Sequence, residues 1–105
     1  MPRITITEPG KDSQAYQFDL KRTKLLVGRS SRNDIPISHR SVSKVHCLIE
    51  RREAGYVMFN NGSTNGIKHN GARVSDVMLV HGTELEIGDV LLAFSLTDEE
   101  SDTLA

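Results

Sequence analysis

The sequence predicts an all-β domain, a sandwich of antiparallel or mixed sheets. Strand-length segments rich in β-branched, aromatic or Leu residues recur along most of the chain, and turn residues punctuate them at short intervals. No window carries a helical stripe of apolar residues. Many short strands with regular turns and no helix between them favour a sandwich over an alternating α/β fold.

The elements follow in order. ITIT at 4–7 alternates Ile and Thr, the period of a strand with one face buried. AYQFDL (15–20), KLLVG (24–28), VHCLIE (45–50) and YVMF (56–59) are the next strand-length runs. TELEI (83–87) alternates again, and VLLAFSL (90–96) closes the series. EAG, NNGS, HNGA, VHGT and IGD separate the later strands with residues that accept positive φ or pre-form turns. The acidic tail TDEESDTLA offers little apolar surface and is expected to fray or to lead to a further domain. The expected division is a domain over 1–96 and an acidic tail or linker over 97–105.

A chain of 105 residues, 37% hydrophobic, fits one domain with a modest core. Its longest apolar run, VLLAF at 90–94, is far short of the roughly 18 residues of a membrane span, and MPRITITEPG has no signal-peptide pattern. The single cysteine, Cys47, excludes an intramolecular disulfide and fits a reducing compartment. The expectation is a soluble, cytoplasmic protein.

A net charge of −1 argues against bulk attraction to nucleic acid or membrane. The distribution is uneven, however. Residues 28–49 carry Arg29, Arg32, Arg40 and Lys44 against Asp34 alone, and residues 60–73 carry Lys68 and Arg73 with no acid. Should the two segments meet in space, they would make a small cationic face on a slightly acidic protein.

Several chemistries lack their residue patterns. Ser43, His46 and Asp34 have the types of a hydrolase triad, but Ser and His three apart at the start of a strand seldom pair as nucleophile and base. There is no G-x-S-x-G elbow either. His39, His46, Cys47, His69 and His81 lack metal-ligand spacing, and adjacent His46 and Cys47 on a strand would face opposite ways. NGSTNG is not a nucleotide loop, because it lacks G-x-x-x-x-G-K-[ST] and a following helix. Aromatic platforms for single-stranded nucleic acid are missing, with no Trp and no aromatic in the loops. The reading is a protein that is not an enzyme and needs no cofactor or metal.

The informative residues sit in the turns. Gly28-Arg29 opens the polar stretch RSSRND, Ser43-Lys44-Val45-His46 precedes a strand, and Ser63-Thr64-Asn65-Gly66 lies inside NNGSTNGIKHNG. That stretch of twelve residues, 60–71, holds four Asn and three Gly, the composition of loops with a demanding backbone path. Arg offers a fork of donors matched to phosphate oxygens, Lys a point charge, and Ser and Thr single hydroxyls. Together these groups suit one tetrahedral dianion.

The succession GR (28–29), Asp34, SKVH (43–46), NNGSTNG (60–66), NG (70–71) and GD (88–89) resembles the signature of the forkhead-associated (FHA) domain family. Order and spacing match over residues 25–94. The resemblance implies an eleven-stranded β-sandwich whose loops at one end bind phosphothreonine in a partner protein or peptide, downstream of a Ser/Thr kinase. By position, Arg29 and Ser43 resemble the family's main phosphate contacts, Lys44 and Thr64 secondary ones, and Asn65 the residue that holds the peptide backbone. Gly28, His46 and Gly66 resemble loop-fixing positions, and Asn70 and Gly71 a supporting turn. Two positions depart from the pattern. Asn60 stands where the family usually has aspartate, which could weaken loop bracing, and Ile67 stands where it often has threonine. The alternative is a phosphate-independent interaction domain on the same fold.

Overall fold

The computed structural model describes residues 1–105 and contains eleven strands and one helix. In chain order these are β1 (Arg3–Thr7), β2 (Gln14–Gln17), β3 (Lys24–Gly28), β4 (Ile35–Pro36), β5 (Cys47–Arg52) and β6 (Gly55–Asn60). Then come β7 (Ile67–His69), β8 (Ala72–Val74), β9 (Asp76–Leu79), β10 (Glu84–Ile87), β11 (Val90–Ser95) and α1 (Asp98–Leu104). One sheet runs β2-β1-β11-β10-β7-β8 and the other β4-β3-β5-β6-β9. The recorded strand pairs are antiparallel except β3 with β4, which is parallel and two residues long. The all-β sandwich predicted by the sequence is the fold observed.

Period-2 burial explains why these segments sit as strands. Ile4 and Ile6, Leu25 and Val27, Cys47 and Ile49, and Leu85 and Ile87 all face the core between the sheets. In β11 the apolar run is not buried on both faces: Val90, Leu92 and Phe94 point inward while Leu91 is exposed. Tyr56 is fully buried, packs edge-on to Phe18 at 5.2 Å, and shares its hydroxyl between the Leu20 and Arg22 carbonyls. That anchor pins the loop leading into β3.

Three expectations need correction. AYQFDL is strand only to Gln17; Phe18 leaves the ladder to enter the core, its N–H bonding the Pro2 carbonyl. VHCLIE becomes strand only at Cys47, because the His46 ring is drawn towards another loop. The acidic tail does not fray. Residues 98–104 form α1, capped reciprocally: Thr97 Oγ1 accepts from the Glu100 amide at 3.2 Å, and Glu100 Oε1 accepts from the Thr97 amide at 2.9 Å. Three of its four acids, Asp98, Glu99 and Glu100, lie in the first turn, where the helix dipole favours them, and Leu104 joins the core. Glu100 also reaches the Met1 amine at 2.8 Å. No helix is long and apolar enough to cross a membrane.

Candidate functional site

Three loops converge at one end of the sandwich: 29–34 after β3, 37–46 before β5, and 61–66 after β6. The first two are fused by backbone. Arg29 N–H donates to Ser43 O at 2.9 Å, Ser30 N–H to Lys44 O at 3.2 Å, and Ile37 N–H to Gly28 O at 2.8 Å. This approach is so close that only glycine fits at 28. A Cβ there would lie 2.4 Å from the Lys44 carbonyl oxygen and 2.9 Å from the His46 nitrogen, both backbone atoms that cannot swing away.

His46 locks the third loop to the second. Its ring is fully buried; Nδ1 accepts from the Ser43 amide at 3.0 Å, and Nε2 lies 2.7 Å from the Gly66 carbonyl. An amide can only donate, so Nδ1 must be unprotonated and Nε2 must carry the hydrogen. The site therefore requires neutral imidazole, and burial moves the His46 pKa down from its ordinary value, in the same direction. His46 and Cys47 do not divide between inside and outside: both are fully buried, one among the loops and the other in the core. Burial pushes the Cys47 thiol up to about 12, which makes it a packing residue rather than a nucleophile.

The remaining loop residues are placed as follows. Arg29 is exposed but tethered: Nε donates to Val42 O at 3.0 Å, which holds the guanidinium beside Ser43 and leaves its terminal nitrogens unengaged. Ser43 Oγ receives one long contact, 3.4 Å from the Thr64 amide. The side chains of Lys44 and Thr64 are exposed at the rim. Asn65 donates one of its two amide hydrogens to Ser41 O at 2.8 Å, which leaves Oδ1 available as an acceptor. Asn70 and Gly71, with φ of 53° and 79°, make the two-residue turn between β7 and β8, both in the left-handed region such a turn demands.

Four residues to which the sequence assigned no bracing role complete the frame. Asn33 is buried and its amide nitrogen donates to Ser30 O and Lys44 O, at 2.9 and 2.7 Å. Ser63 is buried, accepts from Gly66 N at 3.0 Å and donates to Asn60 Oδ1. The side-chain carbonyl of Asn60 thus braces the loop although no carboxylate stands there. Ser41 Oγ accepts from the Asp89 amide at 2.9 Å and pairs with His39 Nδ1 at 2.7 Å, which joins the β10–β11 turn to the same cluster. Arg73 donates to Thr64 O at 3.2 Å from β8. Asn and Ser in polar loops are common, so no local signal separates these braces from solvated turn residues; only Ser63 lay inside a recognised motif.

The two cationic segments do meet, through the Ser43–Thr64 contact and the Asn65–Ser41 and His46–Gly66 bonds. The chain contains four ion pairs, and none includes Arg29, Arg32, Arg40, Lys44, Lys68 or Arg73. Asp34, the one acid among the first group, faces away from it. Its carboxylate accepts from the Leu26 amide and from Arg22, both at 2.7 Å, and these bonds hold its pKa below the ordinary value. The loop end thus presents unpaired cations, hydroxyls and amides on a braced backbone, an arrangement fit to hold an anion.

Comparison with known proteins agrees with this geometry. A family model described as the FHA domain matches residues 25–88, more than half of the chain. Proliferation marker protein Ki-67 of Mus musculus is 38% identical over 87 residues, which is 82% of this chain and 3% of Ki-67. Among solved structures, the FHA domain of CT664 from Chlamydia trachomatis superposes with a TM-score of 0.80 at 18% identity, covering 91% of this chain and 97% of that one. Mycobacterium tuberculosis EmbR, solved in complex with a low-affinity phosphopeptide, has a TM-score of 0.71 at 24% identity, covering 90% of this chain and 24% of EmbR. The family match, the eleven-stranded two-sheet fold and the order of the loop residues together establish that this chain belongs to the FHA domain family.

Proposed function

We propose that the chain binds phosphothreonine-containing segments of partner proteins through these loops, as a non-enzymatic interaction module that reads the products of Ser/Thr kinases. The carrying observation is the tether of Arg29. With Nε fixed on Val42 O and its own amide on Ser43 O, the guanidinium is held against the backbone at Val42–Ser43 without a carboxylate partner. A phosphate dianion offers oxygens to this guanidinium and to the Ser43 hydroxyl at once. Lys44 and the Thr64 hydroxyl supply further donors at the rim, and Asn65 Oδ1 is an acceptor for an N–H of an extended peptide. EmbR with its phosphopeptide supports the reading on the same fold. The single buried thiol suits a reducing compartment such as the cytoplasm.

The test is a paired titration with a phosphothreonine peptide and its unphosphorylated twin, against wild type, Arg29→Ala and Ser43→Ala. Micromolar binding, about −8 kcal/mol, is expected for the phosphopeptide alone. A hydrogen bond to a charged group contributes about 1.5–3 kcal/mol, so Arg29→Ala weakens binding by about one to two orders of magnitude. Ser43→Ala leaves the amide bond to His46 in place and so spares stability while weakening binding. Equal affinity for the twin peptides would replace this function with phosphate-independent recognition.

A further inference from the structure

Arg73 has no role in the phosphate contacts just described, yet its guanidinium packs against the loop. The guanidinium lies across Gly66: a Cβ at that position would be 2.6 Å from Nε and 3.0 Å from both Cζ and the donating terminal nitrogen. Its one hydrogen bond goes to the Thr64 carbonyl at 3.2 Å, and it takes part in no ion pair. Thr64 therefore joins two cationic places. Its N–H touches Ser43 Oγ and its C=O holds Arg73, so the guanidinium lies within about 10 Å of the Ser43 hydroxyl by bond geometry alone.

We propose that Arg73 is a specificity-determining residue that binds a second anion in the same ligand, an Asp or Glu side chain close to the phosphothreonine. The assignment rests on the phosphothreonine reading above. An extended peptide advances about 3.3 Å per residue, so the second anion falls within about three residues of the first. Lys68 lies opposite Arg73 in the β7–β8 register and adds to the field. The two are not equivalent. Lys68 stands opposite Glu86 on its other flank and lines a polar cleft of about 260 Å³ with Ser41, Asn65, Gly88 and Asp89, so nearby carboxylates temper its charge. Arg73 sits on β8, the outer strand of its sheet, where it is exposed to an arriving peptide. Its planar fork keeps several donors beyond the one used on Thr64.

The experiment walks a single Asp through positions −4 to +4 of an Ala/Ser nonapeptide with a central phosphothreonine, measuring affinity for wild type, Arg73→Gln and Arg73→Lys. Lys keeps a charged donor long enough for the Thr64 carbonyl, whereas Gln removes the charge and is too short to keep that bond. One or two Asp positions should tighten wild-type binding about three- to tenfold, as for a partly exposed ion pair. That gain, read in each protein as the ratio of its affinities for the Asp-bearing and Asp-free peptides, should weaken as salt rises, survive in part in Arg73→Lys and vanish in Arg73→Gln. An Asp scan without any gain, or a gain that persists in Arg73→Gln, overturns the proposal. An equal loss of affinity for every peptide in Arg73→Gln also overturns it, by making Arg73 a support for Thr64 only. Failure of the Asp-free phosphopeptide to bind better than its unphosphorylated twin is a separate result. It removes the phosphothreonine reading, and this subsite with it.

Discussion

Replacing His46 by alanine removes the joint between two loops, and the structure gives the size of the effect. The ring is fully buried, and it satisfies the Gly66 carbonyl and the Ser43 amide. A buried polar group left without a partner costs about 1–3 kcal/mol. Gly66 is buried and bears that penalty in full, whereas Ser43 is half-buried and recovers part of it from water. With some lost packing, the expected destabilisation is about 2–4 kcal/mol. For a domain of this size that lowers the melting temperature by roughly 10–25 °C. A pH signature accompanies it. The imidazole titrates lower in the folded chain than in the unfolded one, so the unfolded state takes up the proton first on acidification. The contribution of His46 is present in full above about pH 6.5, the ordinary value, and is lost as pH falls from there towards the lowered native value. Thermal melts of wild type and His46→Ala at pH 7.5 and 5.5 measure both effects. Wild type should lose more stability than the mutant between the two pH values. A deficit below about 1 kcal/mol at pH 7.5, together with identical acid sensitivity, would refute the locking role.

Gly28→Ala should lower stability by about 1–3 kcal/mol and weaken phosphopeptide binding, because the new methyl meets the Lys44 backbone; denaturant melts with a paired titration check it. Asn65→Asp should impair phosphopeptide binding more than Asn65→Ala. The carboxylate would face both the Ser41 carbonyl and a ligand phosphate, and calorimetric titration retaining affinity in the aspartate variant alone rejects that role. Thr97→Ala removes half of the reciprocal cap and should cost about 1 kcal/mol, with faster hydrogen exchange confined to α1 and phosphopeptide affinity unchanged.

How much of this was legible depended on how far each signal reached along the chain. KLLVG became β3 residue for residue, because alternating burial and a terminal glycine are local properties. The short strands β4, β7, β8 and β9 carry two to four residues each, too few for a periodic pattern, and exist because neighbouring strands offer them partners. The helix was missed although T-x-x-E at 97–100 is a capping signature; acidic composition obscured it, and the burial of Leu104 is a tertiary fact. At the site, residue types and their order were readable, whereas Asn33, Ser41 and Ser63 act through partners far along the chain or hidden by burial. The bond of Asn65 to Ser41 spans 24 residues and has no trace in the local sequence.

The pairing of the first strand with the last has a consequence for assembly. β11 leaves the loop cluster at Val90, beside the Gly88–Asp89 turn, and runs away from it to Ser95, where Arg3 of β1 pairs with it. Five steps of about 3.3 Å put that far end roughly 17 Å along the strand from the turn. Because this ladder joins residues near the two ends of the domain, its closure waits until nearly the whole segment has emerged during synthesis, a long-range contact of the kind that slows β-proteins. Once closed, it brings both ends of the domain out side by side at the pole remote from the loops. A tether, neighbouring domain or solid support joined at either end therefore leaves the recognition face unobstructed, and the domain can hang within a longer polypeptide as a pendant with its loops outward.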